Sequence, residues 1–327
     1  MEGGRGVATN ELACAIEVRG LTKCYGAVRA LDGATFSVGR GEVVAYLGPN
    51  GAGKTTTISV FCGLRRRDAG EVTICGADVD RDPVAIKRQI GVVPEESNLY
   101  PELTGRRNLE YLGELYGLDR AVRRARADEL LETFSLREKA EAPFRTLSRG
   151  MKRRLTVAAA LVHAPEVLLL DEPTAGLDVP SGRALRRLIQ DINRAGATVF
   201  LATHNLAEAE ALADRVLILL KGRVVAQGTA AEVRRRVGRV RTVTVAFCDP
   251  VTEATLRDAC PAVRAVSPAQ GGWRLEVTDA HAALAELVAF ADRQGVRIEA
   301  VEAAGASLEE AFLSILDGAA RPAEGEG

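Results

Sequence analysis

The stretch GPNGAGKTT, residues 48–56, constrains this chain most. It follows the apolar run VVAYL and precedes ISVFCGL, which reads as a helix. Glycines in such a loop let backbone N–H groups curl around phosphate oxygens without Cβ clashes. Lys54 brings a point charge to the outer phosphates, and the helix start adds its dipole. Thr55 offers a hydroxyl to Mg2+. Gly48, Pro49, Asn50, Gly51, Ala52, Gly53, Lys54, Thr55 and Thr56 form the candidate nucleotide-binding set. A plain glycine turn before a helix is the alternative, and the order strand, loop, helix outweighs it.

The surrounding pattern is mostly strands from Ala15 to Asp78, in AIEVRGL, ATFSVGRGEVVAYLG and EVTICGADV. Residues 101–165 change to helical spacing. Beyond them EVLLLDEP and ATVFLATH are short buried strands, and ALRRLIQDINRAG and NLAEAEALA are helices. RVLILLKGRVVAQG reads as a hairpin turning at Lys221-Gly222. Buried strands alternating with helices imply a largely parallel α/β core. After a helix and a break at 229–240, a second pattern predicts a small βαββαβ domain with a terminal helix. The expected boundaries are a loose tail over 1–12, a main domain over 13–235, a small α+β domain over 236–318 and a disordered tail over 319–327. Within the main domain, a helical subdomain covers about 100–165.

Composition narrows the function. A net charge of −1 argues against a protein that binds nucleic acid through bulk charge. The six cysteines form no C-x-x-C pair and only three histidines are present, so neither a zinc site nor a disulfide framework is expected. A reducing cytosol fits. No apolar run reaches the roughly 18 residues that span a bilayer, so any work at a membrane needs another chain.

Two further stretches carry chemistry. EVLLLDEP, residues 166–173, is an apolar strand ending in two carboxylates. Asp171 is then placed to hold a metal at the strand's C-terminal edge, and Glu172 to polarise water for attack on a γ-phosphate. Alone the pair reads as a solvated acidic turn; beside a phosphate loop it reads as catalytic. TLSRGMKRRL, residues 146–155, starts a helix at Ser148, with Gly150 in its first turn. Its free N–H groups offer an anion site. Lys152, Arg153 and Arg154 read as the solvated basic face of that helix, and Arg149 lies either near phosphate or in solvent.

Taken in order, the loop 48–56, LSRGM at 147–151, LLLDEPTAGLD at 168–178 and TH at 203–204 resemble the ATPase subunit of ATP-binding cassette (ABC) transporters, over about residues 15–235. The resemblance implies an α/β P-loop NTPase of the ABC ATPase type, with an antiparallel β subdomain and a helical signature subdomain, binding ATP and Mg2+. It also implies a head-to-tail dimer, a homodimer or a pair with another ATPase subunit. In it Ser148 and Gly150 cap the γ-phosphate held by the opposite loop. By the same resemblance Tyr25 stacks on adenine, unless it is a core strand residue. Asp178 belongs to the loop that crosses the dimer, or caps a helix, or both. His204 senses the γ-phosphate. Glu95 stands where the family's switch loop carries Gln, and as an acid it can still ligate Mg2+. Arg149 and Met151 depart from LSGGQ.

SRGMKRRL, the acid after IGVVP and the ending SLEEAFLSILDG together resemble the ATPases of ABC-2-type exporters, which include drug-resistance, polysaccharide and sodium exporters. That implies a separate transmembrane permease and a peripheral place on the inner face of the cell membrane, with no nucleic-acid partner. The segment ESNLYPELTGRRNL would meet the permease through Leu99, Tyr100 and Leu103, or those residues belong to the helical core. The competing function is a non-transport ABC ATPase of DNA repair or translation. One cassette, no heptad run and near-zero charge weigh against it.

Overall fold

The computed structural model describes residues 14–236, 241–269, 271–277, 279–304 and 307–320. The expected tail over 1–12 lies outside them, as do residues 321–327 of the expected C-terminal tail. The chain divides into two units between Gln227 and Gly228.

The first unit holds two sheets. Strands β1 (Cys14–Tyr25), β2 (Val28–Gly39), β4 (Ala69–Ile74) and β5 (Ala77–Asp78) form an antiparallel sheet in the order β2-β1-β4-β5. The central sheet has six strands in the order β10-β9-β3-β8-β7-β6. These are β3 (Val43–Leu47), β6 (Ile90–Val93), β7 (Val167–Asp171), β8 (Thr198–Thr203), β9 (Arg215–Leu220) and β10 (Arg223–Gly228). Strands β9, β3, β8, β7 and β6 run parallel to one another. The β9–β10 turn places Lys221 at φ 47° and Gly222 at φ 78°, as a two-residue turn matching strand twist requires.

Every residue of β3, β7 and β8 is buried. Alternate residues enter different cores, as the strand period of two demands. Leu169 and Phe200 join the core shared with the antiparallel sheet; Leu168, Leu170, Val199 and Leu201 join the core under the helices. The helices of this unit are α1 (Lys54–Phe61), α2 (Pro83–Gln89), α3 (Gly105–Leu115), α4 (Arg120–Thr133), α5 (Arg149–Ala160), α6 (Val179–Arg194) and α7 (Leu206–Leu212). Leu109 of α3, Leu130 and Leu131 of α4 and Leu155 of α5 pack into one helical core.

The second unit opens with α8 (Ala230–Arg236). It continues as β11 (Arg241–Phe247), α9 (Glu253–Ala259), β12 (Val263–Ala269), β13 (Gly272–Val277), α10 (Ala280–Gln294), β14 (Ile298–Ala304) and α11 (Leu308–Ala320). Its sheet is antiparallel in the order β12-β13-β11-β14, a split βαβ arrangement over its own core of Val243, Leu275, Leu287 and Phe290. The sequence reading put the domain boundary after residue 235, but α8 packs on α11 and so joins the second unit. The last helix also reaches Ala320, past the expected start of the tail at 319.

Candidate functional site

Parallel strands end on the same side of a sheet, and ligands of open α/β sheets gather there. In the order β3, β8, β7, β6, four adjacent strand ends lead into residues 48–56, His204, Asp171-Glu172 and Glu95. The topology therefore brings together segments far apart in the chain. They line a cavity of about 360 Å³, with Ala30, Asn50, Gly51, Gly53, Lys54, Thr55, Thr56, Glu95, Glu172 and His204 in its wall.

Close approach explains the glycines of the loop. A Cβ on Gly53 would lie 2.5 Å from Ala30 O, and Gly53 also adopts φ 113°. A Cβ on Gly48 would lie 2.6 Å from Leu219 O. Helix α1 begins at Lys54, just after Gly53, so the N–H groups of its first turn open on the cavity side of the loop. Lys54 is buried, and its Nζ donates to Gly48 O at 2.7 Å and Pro49 O at 3.3 Å.

Glu172 is the hub. Its Oε1 lies 3.4 Å from Lys54 Nζ and 2.9 Å from His204 Nδ1. Its Oε2 accepts from Thr203 Oγ1 at 3.3 Å and from the His204 backbone N–H at 3.4 Å. Its backbone sits at φ 45°, a left-handed conformation that costs a non-glycine residue about 1–3 kcal/mol and is kept only where its surroundings over-determine it.

Asp171 ends β7 and is buried, with Oδ1 in contact with no hydrogen-bond partner. Burial raises its pKa above the usual carboxylate range; the Thr55 hydroxyl opposes this, and Glu172 and Glu95 add to it. A buried carboxylate oxygen left unpaired is costly. With the Thr55 hydroxyl near the same carboxyl, and Thr55 and Glu95 in one cavity wall, these oxygens suit a hard divalent cation.

Other expected residues lie elsewhere. Tyr25 is 43% exposed at the end of β1, outside the cavity wall, which removes the reading of it as a core residue. Ser148 caps α5, accepting from the Met151 N–H at 3.3 Å. A Cβ on Gly150 would lie 2.7 Å from Ser181 Oγ in the first turn of α6. Asp178 caps α6 through Ser181 N–H at 2.8 Å. None of these three lines the cavity.

Arg149, left open by the sequence, lies over Gly176, with Nη2 3.5 Å from Ala175 O. The reading of Arg153 as solvated is overturned. It is only 8% exposed, and its guanidinium donates to backbone carbonyls around the site. Arg154 donates to Phe134 O, and Lys152 Nζ sits 5.6 Å from the Phe144 ring centre. One signal was available. Arg153 precedes Val157 by four residues and so shares the apolar stripe of α5, whose length outweighed its charge.

In the expected permease segment, Leu99 is core and Leu103 is half-buried, while Tyr100 is exposed. The buried Asn108 sets this loop, donating to the carbonyls of Tyr100, Leu103 and Thr104 and accepting from Tyr100 N–H. Tyr100 meets Tyr111 edge-on at 5.1 Å, beside a cavity of about 460 Å³.

The family model described as "ABC transporter" matches residues 31–175. The chain is 42% identical to the daunorubicin resistance ATP-binding protein DrrA3 of Streptomyces coeruleorubidus, over 92% of this chain and 95% of that one. It is 34% identical to the linearmycin resistance ATP-binding protein LnrL of Bacillus subtilis (strain 168), over 92% and 97%. Among solved structures, a dimeric ATP-binding cassette in a post-hydrolysis state bound to ADP and Pi matches with a TM-score of 0.60 and 29% identity, over 65% of this chain and 98% of that chain. With relatives matched along almost their whole length and the motif residues at adjacent strand ends, the chain belongs to the ABC transporter family, as an ATP-binding ATPase subunit of the ABC-2-type exporter group.

Proposed function

We propose that this protein hydrolyses ATP with Mg2+, as a head-to-tail pair of cassettes, and so powers a separate transmembrane permease from the cytoplasmic face of the membrane. The observation that carries the reading is the meeting of Lys54, Glu172 and His204 in one cavity, with the unpartnered Asp171 oxygen behind them. Thr55, Asp171 and Glu95 would hold Mg2+, which when bound offsets triphosphate charge. The first-turn N–H groups of α1 and Lys54 bind the phosphates. Glu172 Oε1 takes the proton of the attacking water. His204 Nδ1, 2.9 Å away, fixes that carboxylate and marks the γ-phosphate position.

Ser148 and Gly150 lie outside the cavity wall of their own chain, which favours their reading a second chain's nucleotide. The dimeric state of the related cassette supports that pairing. The resistance functions named for DrrA3 and LnrL support export as the work done. No helix among the described residues is long and apolar enough to cross a membrane. The exposed Tyr100–Tyr111 pair is the proposed permease contact.

Replacing Glu172 by Gln keeps size and removes the base. We expect kcat to fall by about 10²–10⁴-fold. ATP should then hold the variant as a dimer on size exclusion. Normal turnover by Glu172→Gln would sink the base assignment, and an ATP-saturated monomer would sink the head-to-tail pair.

A further inference from the structure

Arg153 spends its guanidinium on main-chain oxygens. Nε donates to Pro173 O at 2.7 Å, and Nη2 to Asp171 O at 2.8 Å and Glu172 O at 3.0 Å. Nη1 donates to Glu95 O at 3.1 Å and to Pro94 O. These carbonyls belong to two loops, one after β6 and one after β7. Three of them are consecutive and bracket the left-handed Glu172. Arg153 makes no ion pair with any described residue, and burial lowers its pKa against the pull of nearby carboxylates. A buried cation held without a salt bridge is costly until its hydrogen bonds are counted. A flat fork of five N–H donors suits such a set of acceptors, whereas an ammonium has three donors at one point.

We propose that Arg153 is a positioning residue: it holds the Glu95 loop and the Asp171–Glu172 turn in one frame and so sets the spacing of the carboxylates offered to a divalent cation. The proposal rests on the reading of this cavity as a cation-assisted nucleotide site. Its reach extends along α5. The helix start at Ser148 and Gly150 is directed at a second chain's nucleotide. One turn further on, Arg153 clamps the chain's own cation-facing loops. Arg149, on Ala175 O, ties the same helix to the loop after β7.

The test compares Arg153→Met and Arg153→Lys with Leu155→Ala, a core truncation two residues along the same helix. Binding of a fluorescent ATP analogue to the full chain is titrated with Mg2+ and repeated in EDTA. Arg153→Met should raise the Mg2+ concentration at half-effect by about 10-fold, the scale for losing support behind a metal ligand. Binding in EDTA should stay within about 2-fold, since the hydrogen bonds of Arg153 go to the segments after β6 and at the end of β7 and not to residues 48–56. Arg153→Lys should fall between wild type and Met. Leu155→Ala should lower Tm and leave the Mg2+ midpoint in place. An unmoved midpoint in both Arg153 variants overturns the proposal, and so does an equal shift in Leu155→Ala. If Arg153→Met does not fold, the Arg153→Lys midpoint against wild type decides. Wild-type binding indifferent to Mg2+ would overturn the cation reading itself, and the proposal with it.

Discussion

Gly176 and Gly91 look equally crowded, yet they should respond differently to a methyl group. A Cβ on Gly176 would lie 2.0 Å from Arg149 Nη2, the end of a flexible side chain that can swing away. What remains is the φ of 64°, which costs an L-residue about 1–2 kcal/mol. A Cβ on Gly91 would lie 2.3 Å from Ala160 O and 2.9 Å from the Pro165 ring, neither of which can turn aside. Overpacking of that kind costs about 1–3 kcal/mol. We expect urea unfolding to show Gly91→Ala as the more destabilised, and Arg149→Ala to relieve less than half of the Gly176→Ala loss. A full rescue would show that the clash, not the backbone, sets the cost. At this scale a motif ties residue type to place, and Lys54, Asp171 and Glu172 do meet at adjacent strand ends, where their roles are the ones proposed above. The sequence was misread at Arg153, because a charge is expected in water unless its acceptors are known, and these are carbonyls from two distant loops.

Helix α5 is anchored at both ends. Ser148 caps its start. Just past its end His163 stacks on Tyr116 at 3.6 Å and donates Nε2–H to Ile90 O at 3.0 Å. Burial lowers the His163 pKa, and the bond to Ile90 only partly opposes it. As pH falls through about 6.5 the unfolded chain therefore takes up its proton before the native ring does. The stability tied to this group is therefore complete above that pH and is lost as pH falls toward the lower folded pKa. Between pH 7.5 and 5.5 the wild type should lose up to about 1 kcal/mol more than His163→Phe in urea unfolding. Equal slopes for the two would refute the assignment. The helix itself was legible from its cap and its apolar stripe. Its fastening to β6 was not, since nothing local in VHAPE says that the ring will meet Ile90.

Across the whole molecule, the parallel core was legible because VVAYL, VLLLD and TVFLAT are buried on both faces and so run apolar without alternation. The boundary near residue 227 was not, because it depends on α8 meeting α11, a contact between segments far apart in sequence. The cavity wall holds Lys54 but neither Ser148 nor Gly150. In a head-to-tail pair each site then takes its loop from one copy and its signature from the other. Two dead alleles should therefore complement. Lys54→Ala alone and Ser148→Arg alone leave no intact site in their homodimers. Co-expressed, they form some dimers in which the good loop of one faces the good signature of the other. With random pairing and independent sites, about a quarter of wild-type ATPase should return. Co-expressed activity no higher than that of either variant alone would mean that each copy completes its own site.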